Sequence, residues 1–182
     1  MKNKEIEVKF KIQKPEDLVK LLKKLKADFK GKAFERTVRF DTPNFALEKE
    51  GKFLRLRSGF KNVITFKAKI ENAKFQEREE IELEVQDQER MGLILNKLGL
   101  TENKIMEKYR QKWNLDNTEI VIDKLPMGDF IEIEGSESAI RKVIIKFGLD
   151  FRDSIAKTYW DIWADYCKEN KINEENIVFK KN

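Results

Sequence analysis

The chain is 182 residues long, a length that fills one core comfortably and would leave two domains small. Apolar residues make up 40% and charged residues 39%, with a net charge of +5. That is too hydrophobic for a disordered chain, and the acids and bases are interspersed rather than gathered into the basic stripe of a nucleic-acid binder.

Histidine is absent, which excludes His-based triads and His-ligated zinc and leaves any acid–base or metal chemistry to carboxylates, lysines, arginines and tyrosines. Cys167 is the single cysteine, so no intrachain disulfide forms and a reducing compartment is expected. No long apolar run opens the chain. The expectation is a cytoplasmic protein with no signal peptide, no membrane span and no specific nucleic-acid partner.

Alternation of charged and apolar residues predicts about eight strands. The first runs from Lys4 to Ile12, with Glu5, Glu7, Lys9 and Lys11 opposite Ile6, Val8, Phe10 and Ile12. Pro15, Glu16 and Asp17 then start a helix with proline and acids in its first turn, and its apolar stripe is Leu18, Leu21, Leu22, Leu25 and Phe29. Strands follow at Phe34 to Asp41, Phe53 to Ser58, Asn62 to Lys69 and Gln76 to Val85. A second helix is capped by Asp87 and carries Met91, Ile94, Leu95 and Leu98 up to Gly99. Strands return at Lys104 to Leu115, Glu119 to Lys124 and Asp129 to Gly135. Ser136 opens a helix bearing Ile140, Val143, Ile144 and Phe147, closed by Gly148, and Thr158 to Asn170 forms a last one rich in aromatics. These stripes are core-packing faces.

A weak repeat links Glu5-Ile6-Glu7, Glu80-Ile81-Glu82 and Glu132-Ile133-Glu134, each followed by an amphipathic helix. No proline- or glycine-rich linker divides the chain. The expectation is a single domain over 1–182, with barrel strands and helices over about 1–150 and a C-terminal helix and tail over about 151–182.

The polar strand faces are dominated by Arg, Lys and Glu, with few of the Thr and Ser residues common on solvated faces. Helices covering the apolar faces would leave the charged ones to face each other if the sheet closes, each charge balancing another that is costly to bury alone. Such a lumen suits a polyphosphate. Arginine forks and lysines bind phosphate oxygens, and closely spaced carboxylates bind Mg²⁺ or Mn²⁺. Glu-x-Glu on a strand sets two carboxylates on one face roughly 7 Å apart.

Glu5-Ile6-Glu7-Val8-Lys9 resembles the Glu-x-Glu-x-Lys signature of the CYTH superfamily, the triphosphate tunnel metalloenzymes that include class IV adenylate cyclases, thiamine triphosphatases and inorganic triphosphatases. Further blocks follow in the family's order: Phe40-Asp41-Thr42-Pro43, Leu54-Arg55-Leu56-Arg57, Thr65-Phe66-Lys67, Arg78-x-Glu80-x-Glu82, Lys108-x-Arg110, Asp123, and Gly128-Asp129-Phe130-Ile131-Glu132-Ile133-Glu134. Lys157 to Trp160 resembles the loop and helix that shut one tunnel end.

The resemblance implies an α+β fold, a closed antiparallel eight-stranded barrel with a charged lumen and helices outside. It implies Glu5, Glu7, Glu132 and Glu134 as the main metal carboxylates for Mg²⁺ or Mn²⁺, with Glu80, Glu82 and Asp123 as secondary ones. Lys9, Arg55, Arg57, Lys67, Arg78, Lys108 and Arg110 would hold the triphosphate, Lys9, Arg55, Lys108 and Arg110 among them as catalytic groups, and Lys157 would cover it. Arg39 stands where the family often has tyrosine. It shares the charged face and would add a phosphate contact. Lys69, Glu84 and Lys112 are read as rim or surface residues.

The expected activity is hydrolysis of inorganic or organic triphosphate, or conversion of ATP to cAMP and pyrophosphate. Candidate substrates are triphosphate, ATP and thiamine triphosphate, and a homodimer is compatible with this reading. Two other classes are a non-catalytic polyphosphate- or nucleotide-binding module and an interaction protein with solvated charged faces. A polyanion binder needs cations only, so the full set of carboxylates favours the enzyme.

Overall fold

The computed structural model describes residues 6–69 and 78–180, the side chains of Lys69 and Arg78 excepted. Its strands are β1 (Ile6–Ile12), β2 (Asp28–Asp41), β3 (Lys52–Ser58), β4 (Val63–Lys69), β5 (Arg78–Glu84), β6 (Thr101–Leu115), β7 (Thr118–Leu125) and β8 (Gly128–Gly135). The helices are α1 (Pro15–Lys24), α2 (Ala46–Lys49), α3 (Gln88–Lys97), α4 (Glu137–Phe147) and α5 (Tyr159–Asn170). The expected α+β chain with an eight-stranded antiparallel sheet is what forms, in the hydrogen-bonded order β1-β8-β7-β6-β2-β3-β4-β5.

The expected closure is not made by this ladder. Among the described residues β1 and β5 end the order, so hydrogen bonds do not seal the sheet into a barrel. On β1, the Lys9 carbonyl instead accepts from the Ile155 N–H at 2.7 Å, on the segment that leads into α5. No helix is long and apolar enough to cross a membrane, among the described residues.

The chain divides into two compact units, one of Met1–Ala33 with Lys108–Asn182 and one of Phe34–Glu107. In the first, Val8, Phe10, Ile120, Ile122, Ile131 and Ile133 form the buried apolar side of β1, β7 and β8. They pack with Leu22 of α1 and with Ile140, Val143 and Ile144 of α4. Ser136 caps α4 by accepting from the Ala139 N–H, and Gly148 ends it at φ 66°, a left-handed value that glycine takes without Cβ strain. The helix stripe expected to reach Phe29 stops short. Lys26 turns at φ 56°, α1 ends at Lys24, and Phe29 is a β2 residue whose ring meets Trp113 at 4.5 Å. The Leu25–Phe29 spacing fits a helix, but the left-handed turn and strand pairing override it.

In the second unit, Val38, Phe40, Leu54, Leu56 and Ile64 pack with Met91 and Leu95 of α3. Asp87 caps α3 as expected, accepting from the Arg90 N–H at 3.0 Å. The Asp41 carboxylate is structural. It accepts from the N–H groups of Thr42 at 2.7 Å and of Leu47 and Glu48 at 2.9 Å. Asp41 thereby holds the start of the short helix α2, which the sequence pattern does not predict. Burial pushes the Asp41 carboxyl up, but these backbone donors outweigh it and hold the group below its usual value. Among the described residues helical cover does not extend over β5, where Ile81 and Leu83 are 52% and 64% exposed.

Candidate functional site

Strand register sets a charged face in the first unit. Glu7 lies opposite Glu134, Lys9 opposite Glu132, and Arg110 opposite Asp123. Because pairing preserves the face, the odd-numbered residues of β1 and β7 share it with the even-numbered residues of β6 and β8. Phe130 and Val121 fall on it too, an apolar floor among charges.

Here the charges close on one another. Asp123 is fully buried. Its Oδ1 accepts from Arg110 Nε at 2.6 Å, and its Oδ2 accepts from Lys108 Nζ at 3.0 Å and Arg110 Nη2 at 2.5 Å. The same Arg110 Nη2 donates to Glu132 at 2.7 Å, and Lys9 Nζ lies 3.2 Å from Glu132 and 3.4 Å from Glu7. Burial pushes the Asp123 carboxyl up, but Lys108 and then Arg110 outweigh it and hold the group far below the usual carboxylate range. Glu7 moves the other way. Burial raises its pKa first and the neighbouring Glu132 carboxylate second, with Lys9 opposing both.

The second unit carries its own charged face. Arg39 is the cross-strand partner of Arg55, Arg55 of Thr65, and Phe53 of Lys67. The Arg39 guanidinium stands 5.0 Å from the centre of the Phe53 ring. Burial and then Arg57 lower the Arg55 pKa, with Arg39 adding to the effect and Glu80 and Glu82 opposing it. Arg55 Nε is buried without a hydrogen-bond partner among the described residues. Arg57 is 3.6 Å from Glu82, Lys67 is 2.7 Å from Glu80, and Thr65 donates to Glu82 at 3.0 Å. Crowded cations with a buried, unpaired N–H are a site that an anion would complete.

The sequence-predicted residues are thus placed in two groups. Glu7, Lys9, Lys108, Arg110, Asp123 and Glu132 meet in the first unit, with Glu134 on the same face. Arg39, Arg55, Arg57, Lys67, Glu80 and Glu82 share the face of the second. Glu5 lies outside the described residues, as does the Arg78 side chain. Lys157 is not brought to either group: it pairs with Asp165 at 2.5 Å, both well exposed. Lys112, half-buried, pairs with Glu119, and the exposed Glu84 pairs with Lys61.

Sequence reasoning missed Tyr159 as a member of the site. The tyrosine opens α5, held there by a capping box between Thr158 and Asp161. Its hydroxyl donates to Asp123 Oδ2 at 3.0 Å, and its ring lies 4.6 Å from Lys9 Nζ and meets Phe130 edge-on at 5.3 Å. Periodicity reads Tyr159 as one more core aromatic. The one signal in the sequence is its place two residues after Lys157, in the block that resembles the family's tunnel-closing helix.

As a cation site, the first cluster offers oxygen donors only, the donor type that hard divalent ions take. Glu7 beside Glu132 is a like-charge contact that a cation would relieve. Among the described residues no three acidic side chains stand together as a ready ligand set, and Asp123 is already engaged by two cations.

Comparison with known proteins bears on the family and the fold. A Methanocaldococcus jannaschii protein named "Putative adenylate cyclase MJ0240" is 29% identical over 178 residues, which cover 97% of this chain and 94% of that protein. The solved structure of PH1012 from Pyrococcus horikoshii OT3 matches with a TM-score of 0.68 and 30% identity, over 85% of this chain and 96% of that one. HpAC1 from Hippeastrum, named "Putative adenylyl cyclase" and described as having a dominant triphosphatase activity, shares the fold with a TM-score of 0.62 at 16% identity, over 89% and 96% of the two chains. The family model of the CYTH domain matches residues 3–148, and the chain belongs to that family.

Proposed function

We propose that this protein is an enzyme of triphosphate chemistry that works with Mg²⁺ or Mn²⁺. The observation that carries the reading is the set of like-charged arginines, Arg39 opposite Arg55 and beside Arg57, held on one strand face with a buried N–H of Arg55 left unpaired among the described residues. Stacking like charges lowers stability unless an anion fills the site. CYTH membership and the 29% identity to a protein named for adenylate cyclase activity support a nucleotide or other triphosphate as that anion.

In this reading two groups of cations hold phosphates, Arg39, Arg55, Arg57, Lys67 and Arg78 in one and Lys9, Lys108 and Arg110 in the other. In the first unit Lys9, Lys108 and Arg110, and in the second Arg55, would offset the charge that develops on a phosphoryl group bound there. Glu7, Glu132 and Glu134, with Glu5, would hold the divalent ion, Glu80 and Glu82 would assist, and Asp123 would serve mainly to orient Lys108 and Arg110. When bound, such an ion shields phosphate charge and polarises the phosphoryl oxygen. The same clamp serves attack by water, giving hydrolysis, and attack by a ribose 3′-hydroxyl, giving cAMP and pyrophosphate. The lone buried Cys167 suits a reducing, cytoplasmic setting.

The test is to incubate pure protein with Mg²⁺ or Mn²⁺ and, in turn, tripolyphosphate, ATP and thiamine triphosphate, and to resolve the products. Phosphate release assigns hydrolysis, and cAMP with pyrophosphate assigns cyclisation. No turnover of any of the three, with the protein folded, refutes the reading.

A further inference from the structure

We propose that Tyr159 is a positioning residue for the anion-binding cations of the first unit: its neutral hydroxyl keeps Asp123 satisfied so that Lys108 and Arg110 can turn to phosphate. The inference rests on the triphosphate reading above. Three donors converge on one buried carboxylate oxygen. Asp123 Oδ2 accepts from Lys108 Nζ at 3.0 Å, Arg110 Nη2 at 2.5 Å and Tyr159 Oη at 3.0 Å. Two of these donors are cations that a polyphosphate competes for, and the phenol is not. A fully buried carboxylate that loses all its donors carries a large desolvation penalty. A carboxylate that keeps a neutral donor yields its cations at lower cost.

The ring has a second effect. Lys9 Nζ stands 4.6 Å and Lys108 Nζ 5.5 Å from its centroid, so one aromatic ring steadies both ammonium groups without neutralising either. The tyrosine itself is well anchored. Phe130 supports the ring edge-on, the Thr158–Asp161 capping box fixes the first turn of α5, and the Ile155 N–H ties the preceding segment to the Lys9 carbonyl at 2.7 Å. α5 is thereby pinned to β1 and β7 at the point where the cations gather.

Tyr159 acts through Lys9, Lys108 and Asp123, so its removal should appear in anion affinity more than in the rate of the bound complex. The experiment titrates metal-free tripolyphosphate, in the presence of EDTA, into wild type, Tyr159→Phe and Tyr159→Leu by calorimetry, alongside kcat, KM and thermal unfolding. Loss of one hydrogen bond to a charged group corresponds to about a tenfold change, so Tyr159→Phe should weaken tripolyphosphate binding by roughly that factor. Its KM should rise by more than kcat falls. Tyr159→Leu, which loses the ring as well, should bind more weakly still.

Wild-type affinity in Tyr159→Phe overturns the proposal, whether or not its melting temperature drops, because the hydroxyl is then only structural. A fall in kcat with KM unchanged overturns it as well. Failure of the wild type to bind tripolyphosphate both in EDTA and with Mg²⁺ would instead bring down the triphosphate reading, and this inference with it.

Discussion

Arg110 and Glu132 sit on strands that do not pair, β6 and β8, yet a single guanidinium bridges them across β7: Arg110 Nη2 lies 2.7 Å from Glu132 Oε2 and 2.5 Å from Asp123 Oδ2. Asp123 is 0% exposed and Glu132 8%. Removing one partner of a buried ion pair costs about 3–5 kcal/mol because the remaining charge is stranded. Arg110→Ala is therefore expected to lower unfolding free energy by about that amount, and Arg110→Lys by less, since lysine restores charge but not the fork. Urea unfolding checks this. A near-wild-type midpoint for Arg110→Ala would show that Lys9 and Lys108 suffice.

Glu7 carries the opposite kind of strain. Its pKa is raised by burial and by Glu132, so the ionised form is disfavoured in the folded state. A group with a raised folded pKa contributes stability below its unfolded pKa and loses it as pH rises through the folded value. At neutral pH the Glu7 carboxylate is thus a cost in the metal-free protein. Its side chain is 47% exposed, so solvent screening keeps that cost to roughly 1 kcal/mol or less. Glu7→Gln should raise the metal-free melting temperature at pH 7 by about 1–3 °C, with the gain vanishing below about pH 4. The same variant should lose most of the stabilisation that Mg²⁺ or Mn²⁺ gives the wild type. A variant stabilised by metal as strongly as the wild type would remove Glu7 from the cation site.

Much of this site was legible in the sequence because strand parity is a strict rule. Once Lys9, Asp123 and Glu132 are placed on strands, register alone puts them on one face. Helix caps at Asp87 and Ser136 were legible for a similar local reason, each side chain reaching an N–H three residues on. Long-range choices were hidden. Phe29 obeys the spacing of α1, and only the left-handed turn at Lys26 and the contact with Trp113 assign it to β2. Tyr159 is one of several aromatics in α5, and nothing local tells that its hydroxyl meets a carboxylate 36 positions away. Lys157 has the right charge for a cover, but Asp165 competes for it.

Asp41 supplies a pH test away from the charged clusters. Its folded pKa is depressed, so its contribution is present above the unfolded value of about 3.9 and is lost as pH falls through the folded one. Asp41→Ala strips the acceptor from the backbone N–H groups of Thr42, Leu47 and Glu48. Loss of a helix-capping acceptor costs about 1–2 kcal/mol, and a carboxylate with three backbone donors belongs at the upper end. Thermal unfolding of both proteins from pH 7 to pH 2 should show a gap that narrows only below about pH 4. A gap independent of pH would mean that the loss is one of packing rather than of charge-assisted hydrogen bonds.

The decisive prediction concerns Arg55 and phosphate chain length. If Arg55 clamps one phosphate of a triphosphate, Arg55→Ala removes a charge-assisted contact worth about 1.5–3 kcal/mol, and kcat/KM should fall roughly 10- to 150-fold. Lysine should restore only part, because a point charge cannot reproduce the bidentate fork. Binding linked to the folded state raises stability with the logarithm of ligand over Kd. Tripolyphosphate should therefore raise the wild-type melting temperature strongly, pyrophosphate less and monophosphate little, since each shorter chain reaches fewer cations. In Arg55→Ala the tripolyphosphate shift should shrink while its ligand-free melting temperature stays level or rises, because relief of the like-charge contacts with Arg39 and Arg57 offsets lost packing. Thermal shift against mono-, di- and triphosphate, with and without Mg²⁺, reads all of this in one series. Equal shifts for monophosphate and tripolyphosphate would leave Arg55 as a structural partner of Glu80 and Glu82, and would refute the clamp.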